Sequence, residues 1–274
     1  MRRIYFFALC AFAVLGFTSC DKDDDGNASD SEIVGTWEAD NSDFHYPVVT
    51  FKSDGTYEWI WDGIHKLKDT GTYTYDGKTI STKAQTYYEW DDEKGKYVKN
   101  TESYQRSPRV CKVVNVTAGI LEIKINDYFI GGDGDYMFDF VMYRKGVVQN
   151  IKSSDLQGTW EHYDEGELSD RIIINGNKYT SYEVWESESL AAIKSEGDWS
   201  VSNGVLTVTP KTLMYSYSND NTGRTTYSNV DSETLEADTW YPAQYDEDPF
   251  TERIYLSEDK STLYVAGKVF VKKK

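Results

Sequence analysis

The sequence contains few of the residues that usually build catalytic and metal sites. Its 274 residues include three histidines, three cysteines and five prolines. His45, His65 and His162 are not spaced as metal ligands, and no histidine and cysteine have the spacing of a zinc site. Nucleophile elbows, phosphate loops and dinucleotide fingerprints are missing as well. We therefore expect no metal, no cofactor and no catalysis, and we expect the histidines on the surface or in loops.

Positive charge is also scarce. Lysine and arginine number 29 against 46 aspartates and glutamates, which gives a formal net charge of −17 and an isoelectric point near 4.6. Nucleic acids attract proteins through clustered lysine and arginine, so the charge balance argues against a nucleic-acid partner. Among 46 acidic residues some close carboxylate pair is inevitable, so acid abundance alone does not indicate a glycosidase site.

No apolar run is long enough to cross a membrane as a helix. The run over residues 4–17 has 14 residues, whereas about 20 are needed to span the hydrocarbon core. It follows Arg2 and Arg3 and leads through Gly-Phe-Thr-Ser into Cys20. This pattern resembles the lipobox of bacterial lipoproteins, which implies that residues 1–19 are a signal peptide and that Cys20 is lipidated. An ordinary secretory signal is the alternative.

An acidic segment follows Cys20. Asp21 and the aspartates at 23–25 are similar to the export tag of surface lipoproteins in one group of Gram-negative anaerobes. The resemblance implies a membrane partner through the lipid anchor and a position on the outer face of the outer membrane. A solvated spacer is the alternative. Residues 20–32 are expected to form a flexible tether, and Cys111, the one cysteine beyond it, is expected to be a buried, inert side chain.

The chain contains an internal duplication. The Gly-Thr-Trp-Glu segment around Trp37 recurs around Trp160, 123 residues later. Further pairs follow in the same chain order with slowly growing separations: 71–73 and 197–199, 91–95 and 219–223, and 143–145 and 271–273. We infer two copies, residues 33–145 and residues 155–274, joined by a short linker over residues 146–154.

Each copy has the pattern of a β-meander. Apolar and polar residues alternate over segments such as 56–61, 121–125 and 206–209, as expected for strands with one buried face. Asp-Gly and Asn-Gly pairs between such segments supply the positive φ angles of tight hairpins. Helical periodicity is nearly absent. Eight or nine strands per copy predict an all-β protein of two tandem antiparallel eight-stranded meander barrels.

These features resemble the lipocalin-like family of bacterial lipoproteins, here in tandem. The resemblance covers nearly all of the mature chain and rests on the first-strand Gly-x-Trp, the hairpin spacing and a basic residue on the last strand of each copy. It implies that Trp37 and Trp160 pack across one end of their barrels. It also implies that Arg144 and Lys272 lie over these rings, so we interpret all four residues as structural.

The best candidate ligand site consists of aromatic residues that belong to the first copy alone. Trp59 and Trp61 share one strand face and correspond to Ser181 and Glu183 in the second copy. Tyr88 and Trp90 share another face, and the sequence aligns them with Tyr217 and Asn219. Such rings can form a flat platform for sugars, or they can fill the barrel interior. The sequence favours filling for Trp59 and Trp61, and leaves the platform open.

Three functions fit these observations. The leading hypothesis is a non-catalytic outer-membrane lipoprotein, exposed at the cell surface, that binds a small apolar ligand, a glycan or a surface partner. The alternative is a structural or accessory subunit of a cell-surface complex that has no small-molecule site. An enzyme, the third, needs a concave site with convergent titratable groups. Fold resemblance alone supports none of the three.

Overall fold

The computed structural model describes most of the duplicated part of the chain. Residues 1–31 lie outside the described residues, and with them the predicted signal peptide, Cys20 and all but the last residue of the predicted tether; His65 and the second-copy turn at 219–223 lie outside them too. The described ranges are 32–39, 45–63, 66–100, 109–126, 137–184, 191–217, 230–243 and 248–274. All regular structure within these ranges is strand, and no helix in them is long and apolar enough to cross a membrane.

The first copy folds into nine strands, which together we name barrel 1. Their bounds are β1 (Gly35–Ala39), β2 (His45–Phe51), β3 (Thr56–Gly63), β4 (Leu67–Tyr75), β5 (Thr79–Asp91), β6 (Lys96–Asn100), β7 (Arg109–Val116), β8 (Ile120–Asn126) and β9 (Met137–Arg144). Strands β1 to β5 pair in chain order, β5 pairs with both β6 and β7, and β7 to β9 pair in order until β9 returns to β1, all antiparallel. Eight strands therefore form a closed barrel. The ninth strand, β6, pairs with the last part of β5, residues 87–91, and is not part of the closed ring.

The second copy, which we name barrel 2, repeats this arrangement. Its strands are β10 (Gly158–Asp164), β11 (Glu167–Asn175), β12 (Lys178–Val184), β13 (Ala192–Ser202), β14 (Val205–Ser216), β15 (Tyr241–Pro242), β16 (Phe250–Leu256), β17 (Thr262–Val265) and β18 (Lys268–Lys272). The strand order matches barrel 1, with β15 in the place of β6. The prediction of two tandem eight-stranded antiparallel barrels is confirmed.

Strand registers make the two copies equivalent residue by residue. Trp37 pairs with Val49 and Arg144, and Trp160 pairs with Ile172 and Lys272. Both copies also have a β-bulge at the same place, beside Gly71 on β4 and beside Gly197 on β13. An irregularity of this kind at matching positions is what two copies of one meander would share.

Each barrel encloses its own apolar core, because alternate residues of every strand point inward. The largest fully buried side chains of barrel 1 are aromatic and include Trp37, Trp59, Tyr57 and Phe51. The core of barrel 2 is built around Trp160, Trp199, Phe270 and Leu263. Cys111 is fully buried within the core of barrel 1.

A third apolar cluster joins the two barrels. It contains Ile120, Val141 and Tyr143 of barrel 1 and Tyr264 of barrel 2, all buried, with Tyr255 and Val269 packed against them. The Asn115 side-chain amide donates to the Tyr264 hydroxyl at 2.8 Å, and Arg253 forms an ion pair with Glu38 at 3.3 Å. Because the cluster packs as a protein core does, it holds the barrels against each other.

Candidate functional site

The first-strand tryptophans and last-strand basic residues lie together at one end of each barrel. The Arg144 guanidinium lies 4.6 Å from the Trp37 ring centroid, and the Lys272 ammonium lies 5.0 Å from that of Trp160. Each indole N–H donates to a backbone carbonyl four residues earlier, that of Ile33 at 2.7 Å in the first copy. Burial lowers the pKa of Arg144. A cation over a ring contributes about 0.5–2 kcal/mol, so these contacts hold the first strand to the last.

Trp59 and Trp61 lie inside barrel 1. Their exposed fractions are 0% and 4%, and their ring centroids are 5.7 Å apart with 26° between the planes. The Arg109 guanidinium covers both rings, at 4.6 Å from the Trp59 centroid and 5.7 Å from that of Trp61. Phe140 packs its ring edge against Trp61 at 6.0 Å. These rings are accessible to a ligand only if it enters the barrel and displaces those neighbours.

A buried ion pair completes this interior. Arg109 donates to Asp69 at 3.1 Å, and the Tyr57 hydroxyl donates to the same carboxylate at 2.5 Å. Asp69 is 1% exposed and Arg109 is 7% exposed. Burial, together with the negative charge of Asp69, raises the pKa of Tyr57 above its ordinary value. The proton therefore stays on the tyrosine, and the carboxylate accepts from both partners.

Sequence reasoning missed Asp69 and Arg109. Asp69 lies in the alternating pattern of β4 at an inward position, and Arg109 is the first residue of β7. The sequence did contain one indication of this pair. In each of the two strands, the alternation of apolar and polar residues places one charged residue on the face that is otherwise buried. Those two opposite charges lie 40 residues apart in the chain, so only the closed barrel shows that they meet.

Tyr88 and Trp90 lie on the outer wall of barrel 1, on the opposite face from Trp59 and Trp61. Tyr87 pairs with the inward-facing Asp69, and neighbouring strand residues point to opposite faces. Tyr88 and Trp90 are therefore turned outward, and both are half-buried. The four residues predicted as one ligand site are split by the barrel wall into an inner pair and an outer pair.

The outer pair belongs to a larger surface made by β4, β5 and β6. Lys66 Nζ lies 5.0 Å from the Trp90 centroid, and Lys68 Nζ lies 5.4 Å from that of Tyr88. Tyr97 on β6 meets Trp90 edge to face at 5.1 Å and 77°. We name these five residues, Lys66, Lys68, Tyr88, Trp90 and Tyr97, the aromatic–lysine surface. A lysine ammonium lies over one face of the Trp90 ring and another over one face of the Tyr88 ring, and both half-buried rings keep part of their surface exposed.

Barrel 2 has no aromatic residue at the positions of Tyr88 and Trp90, but its Lys194, at the position of Lys68, also lies over two aromatic rings. The strand registers place Met214 and Ser216 where barrel 1 has Tyr88 and Trp90, so the sequence alignment with Tyr217 and Asn219 was wrong. The sequence alignment assumed that equivalent residues on this strand are more than 126 residues apart in the chain. Because the β-bulges of the two copies match, equivalent residues stay 126 residues apart along the strand, and the extra residues of the second copy lie after it.

His162, which we expected on the surface or in a loop, is partly exposed and lies on a strand. It lies on β10, half-buried, with its ring 5.6 Å from that of Phe270 and its Nδ1 2.8 Å from the Val269 carbonyl oxygen. A carbonyl only accepts, so Nδ1 carries the proton of that hydrogen bond. Within the described ranges, no group of three or more His, Cys, Asp or Glu side chains is placed to hold a metal ion.

Comparison with known proteins identifies no relative of this chain. No family model matches the chain, and no curated protein matches it either. The class is therefore defined by the fold alone, which is two closed eight-stranded antiparallel barrels in tandem, consistent with a lipocalin-like architecture.

Proposed function

We propose that this protein is a non-catalytic lipoprotein of the outer membrane that binds glycans at the cell surface through the aromatic–lysine surface of barrel 1. Cys20 anchors the chain through its lipid, and the acidic tether carries the barrels away from the membrane. The anchor rests on the lipobox resemblance, and the binding role rests on the geometry of β4, β5 and β6.

The observation that carries the binding role is the outward, half-buried placement of Tyr88 and Trp90. A sugar ring has an apolar face that stacks on aromatic rings, and its hydroxyls keep hydrogen bonds with water or nearby polar groups. Lys66 and Lys68 lie over the Trp90 and Tyr88 rings, and the charge of Lys66 favours a glycan that contains acidic sugars. Glu58 forms an ion pair with Lys68, which fixes that ammonium beside Tyr88.

A small apolar ligand inside barrel 1 is less well supported. Such a ligand would have to displace Arg109 from the faces of Trp59 and Trp61. That step would also separate Arg109 from Asp69, and breaking a buried pair is unfavourable by about 3–5 kcal/mol. The inner rings therefore fit core packing better than they fit ligand binding.

A glycan microarray tests the binding role. We expect the purified chain to bind one class of glycan, and Trp90→Ala to remove that binding because the central stacking ring is lost. Tyr163→Ala, which removes a ring that is 47% exposed on barrel 2, is the matched control and should bind as the parent does. Absence of binding on the array, or equal binding by Trp90→Ala, would contradict the proposal.

Labelling with palmitate tests the anchor separately. Cys20→Ser removes the thiol that would carry the lipid, so the parent chain should incorporate labelled palmitate and the variant should not. If the parent incorporates no palmitate, or the variant incorporates as much as the parent, the lipoprotein role fails while the glycan site is unaffected.

The second candidate is an accessory subunit of a surface complex with no small-molecule site. The packed interior of barrel 1 favours it, because a barrel filled by Trp59, Trp61 and Arg109 serves as a rigid body. This function predicts that lysine crosslinking on intact cells joins Lys66 or Lys68 to a single partner protein, with no glycan bound on the array.

A further inference from the structure

The two barrels differ most in the last inward-facing layer at one end. In barrel 1 the residues of this layer on β1, β2, β3, β4 and β9 are apolar, and β5 adds Glu89 opposite Leu67, where barrel 2 has Tyr215. At the equivalent positions the strand registers of barrel 2 place five other residues, and four of these five are polar or ionisable. The barrel 1 residues are Ala39, Pro47, Trp61, Leu67 and Phe140, and the equivalents in barrel 2 are His162, Asp170, Glu183, Ile193 and Lys268. We name the second set the barrel 2 mouth.

The layer beneath the mouth has lost volume. Ser181 stands where barrel 1 has Trp59, and Ser195 stands where it has Asp69. Trp59 and Asp69 are 0% and 1% exposed, whereas both serines are only half-buried. The indole of Trp61 is likewise replaced by Glu183, whose side chain is 42% exposed. At this level the interior of barrel 2 is therefore less tightly filled than the interior of barrel 1.

The mouth carries an incompletely balanced charge cluster. Lys268 Nζ donates to Asp170 Oδ1 at 2.6 Å and to Glu183 Oε1 at 2.9 Å. Burial alone would lower the pKa of Lys268, but the two carboxylates raise it. Ser169 donates to the second oxygen of Asp170 at 2.7 Å. Two carboxylates and one ammonium leave one net negative charge, and Glu183 is the more exposed of the two acids.

The walls below this cluster are apolar. Ile172, Ile193 and Leu213 occupy inward positions and are half-buried. Ile193 lies in the mouth itself. Ile172 and Leu213 lie in the layer beneath it, together with Ser181 and Ser195. A polar rim with net negative charge over a less tightly filled apolar interior suits a ligand that has a cationic head and a short apolar body.

We propose that the barrel 2 mouth binds a small amphiphilic amine. Its ammonium group pairs with Glu183, and its apolar part lies between Ile172, Ile193 and Leu213 in the space that Trp59 and Trp61 fill in barrel 1. This site is separate from the aromatic–lysine surface, so either can fail without the other.

Isothermal titration of the purified chain with n-hexylammonium tests this site, and n-hexanoate is the comparison ligand of the same length and opposite charge. We expect saturable binding of one hexylammonium per chain and none of hexanoate. Glu183→Gln keeps the side-chain size and should weaken binding about tenfold, the loss typical of one charge-assisted hydrogen bond. Glu196→Gln removes an exposed carboxylate on β13 that faces outward, so it should bind as the parent does.

Ser181→Trp tests the space itself, since it restores the residue that barrel 1 has at this position. We expect it to abolish binding of hexylammonium while the near-ultraviolet circular dichroism stays native. If this variant does not fold, the comparison of Glu183→Gln with Glu196→Gln decides. Lack of saturable hexylammonium binding, equal binding of hexanoate, or native affinity in Glu183→Gln would overturn the proposal.

Discussion

At the scale of single residues, the buried pair of Asp69 and Arg109 marks how far the copies have diverged. Barrel 2 has Ser195 and Phe250 at these positions, so neither charge is required by the fold itself. In barrel 1 Arg109 lies over Trp59 and Trp61, and Asp69 accepts a hydrogen bond from the Tyr57 hydroxyl. The charges therefore serve the packing of this one interior.

Removal of one partner of this pair should be far more harmful than exchange of both. Arg109→Ala leaves the Asp69 carboxylate buried without its cation, so we expect a loss of about 3–5 kcal/mol in the free energy of unfolding. The double variant Asp69→Ser and Arg109→Phe, which has the barrel 2 residues, should lose less. Urea unfolding followed by near-ultraviolet circular dichroism measures both, and a single variant that loses under about 1 kcal/mol would contradict this account.

Alkaline pH should weaken barrel 1 through its tyrosines. Burial raises the pKa of Tyr75 to about 12 from its ordinary 10.0, and it raises the pKa of Tyr57 as well. The pKa of these tyrosines is higher in the folded chain than in the unfolded chain. Their contribution to the free energy of unfolding is therefore complete below pH 10 and is lost as the pH rises toward 12. Tyr57→Phe should flatten this fall in unfolding free energy between pH 10 and 12. Parent and variant curves that stay parallel over that interval would be inconsistent with this assignment.

At the scale of elements, the β-bulge decides which side chains face the barrel interior. On β5, Ile80 and Thr82 point inward, and simple alternation would turn Tyr88 and Trp90 inward as well. The bulge opposite Gly71 adds one residue and reverses the alternation, so these two rings face outward. The sequence predicted the strand and the shared face correctly. It did not predict the face itself, because a bulge changes side-chain direction without changing the apolar pattern nearby.

Gly71 should be irreplaceable at this bulge. A Cβ there would lie 2.0 Å from the Lys83 carbonyl oxygen, and backbone cannot move aside as a flexible side chain can. We expect Gly71→Ala to lower the free energy of unfolding by more than the 1–3 kcal/mol typical of overpacking, whereas Thr72→Ala at the exposed neighbour stays near the parent value. Urea titration of both variants decides, and equal midpoints would show that the bulge tolerates a side chain.

At the scale of the whole molecule, the apolar cluster between the barrels makes the pair one unit. The duplication and both barrel architectures were predictable from the sequence, because Trp37 and Trp160 and the hairpin turns recur in order. The contact between barrels was not predictable. Outward-facing residues such as Val141 and Tyr264 follow the same alternation as any exposed strand face, and their partners lie in the other copy.

Gly119 should control this contact. A Cβ at Gly119 would lie 2.2 Å from a ring carbon of Tyr255, so Gly119→Ala should turn this ring away from the apolar cluster that it packs against and loosen the contact between the barrels while each core stays folded. Small-angle scattering should then show a larger radius of gyration than the parent has. The double variant Gly119→Ala and Tyr255→Ala, which removes the opposing ring, should restore compactness. An unchanged radius in the single variant would disprove the role of this contact.

The central claim is that barrel 1 keeps its inner tryptophans packed and presents its outer rings to a glycan. Hydroxyl-radical footprinting of the intact protein, read by mass spectrometry at each tryptophan, tests it most directly. The account predicts rapid oxidation of Trp90, slow oxidation of Trp59 and Trp61, and protection of Trp90 by the glycan identified on the array. Oxidation of Trp59 and Trp61 as fast as that of Trp90, or glycan protection of the inner pair instead, would contradict it.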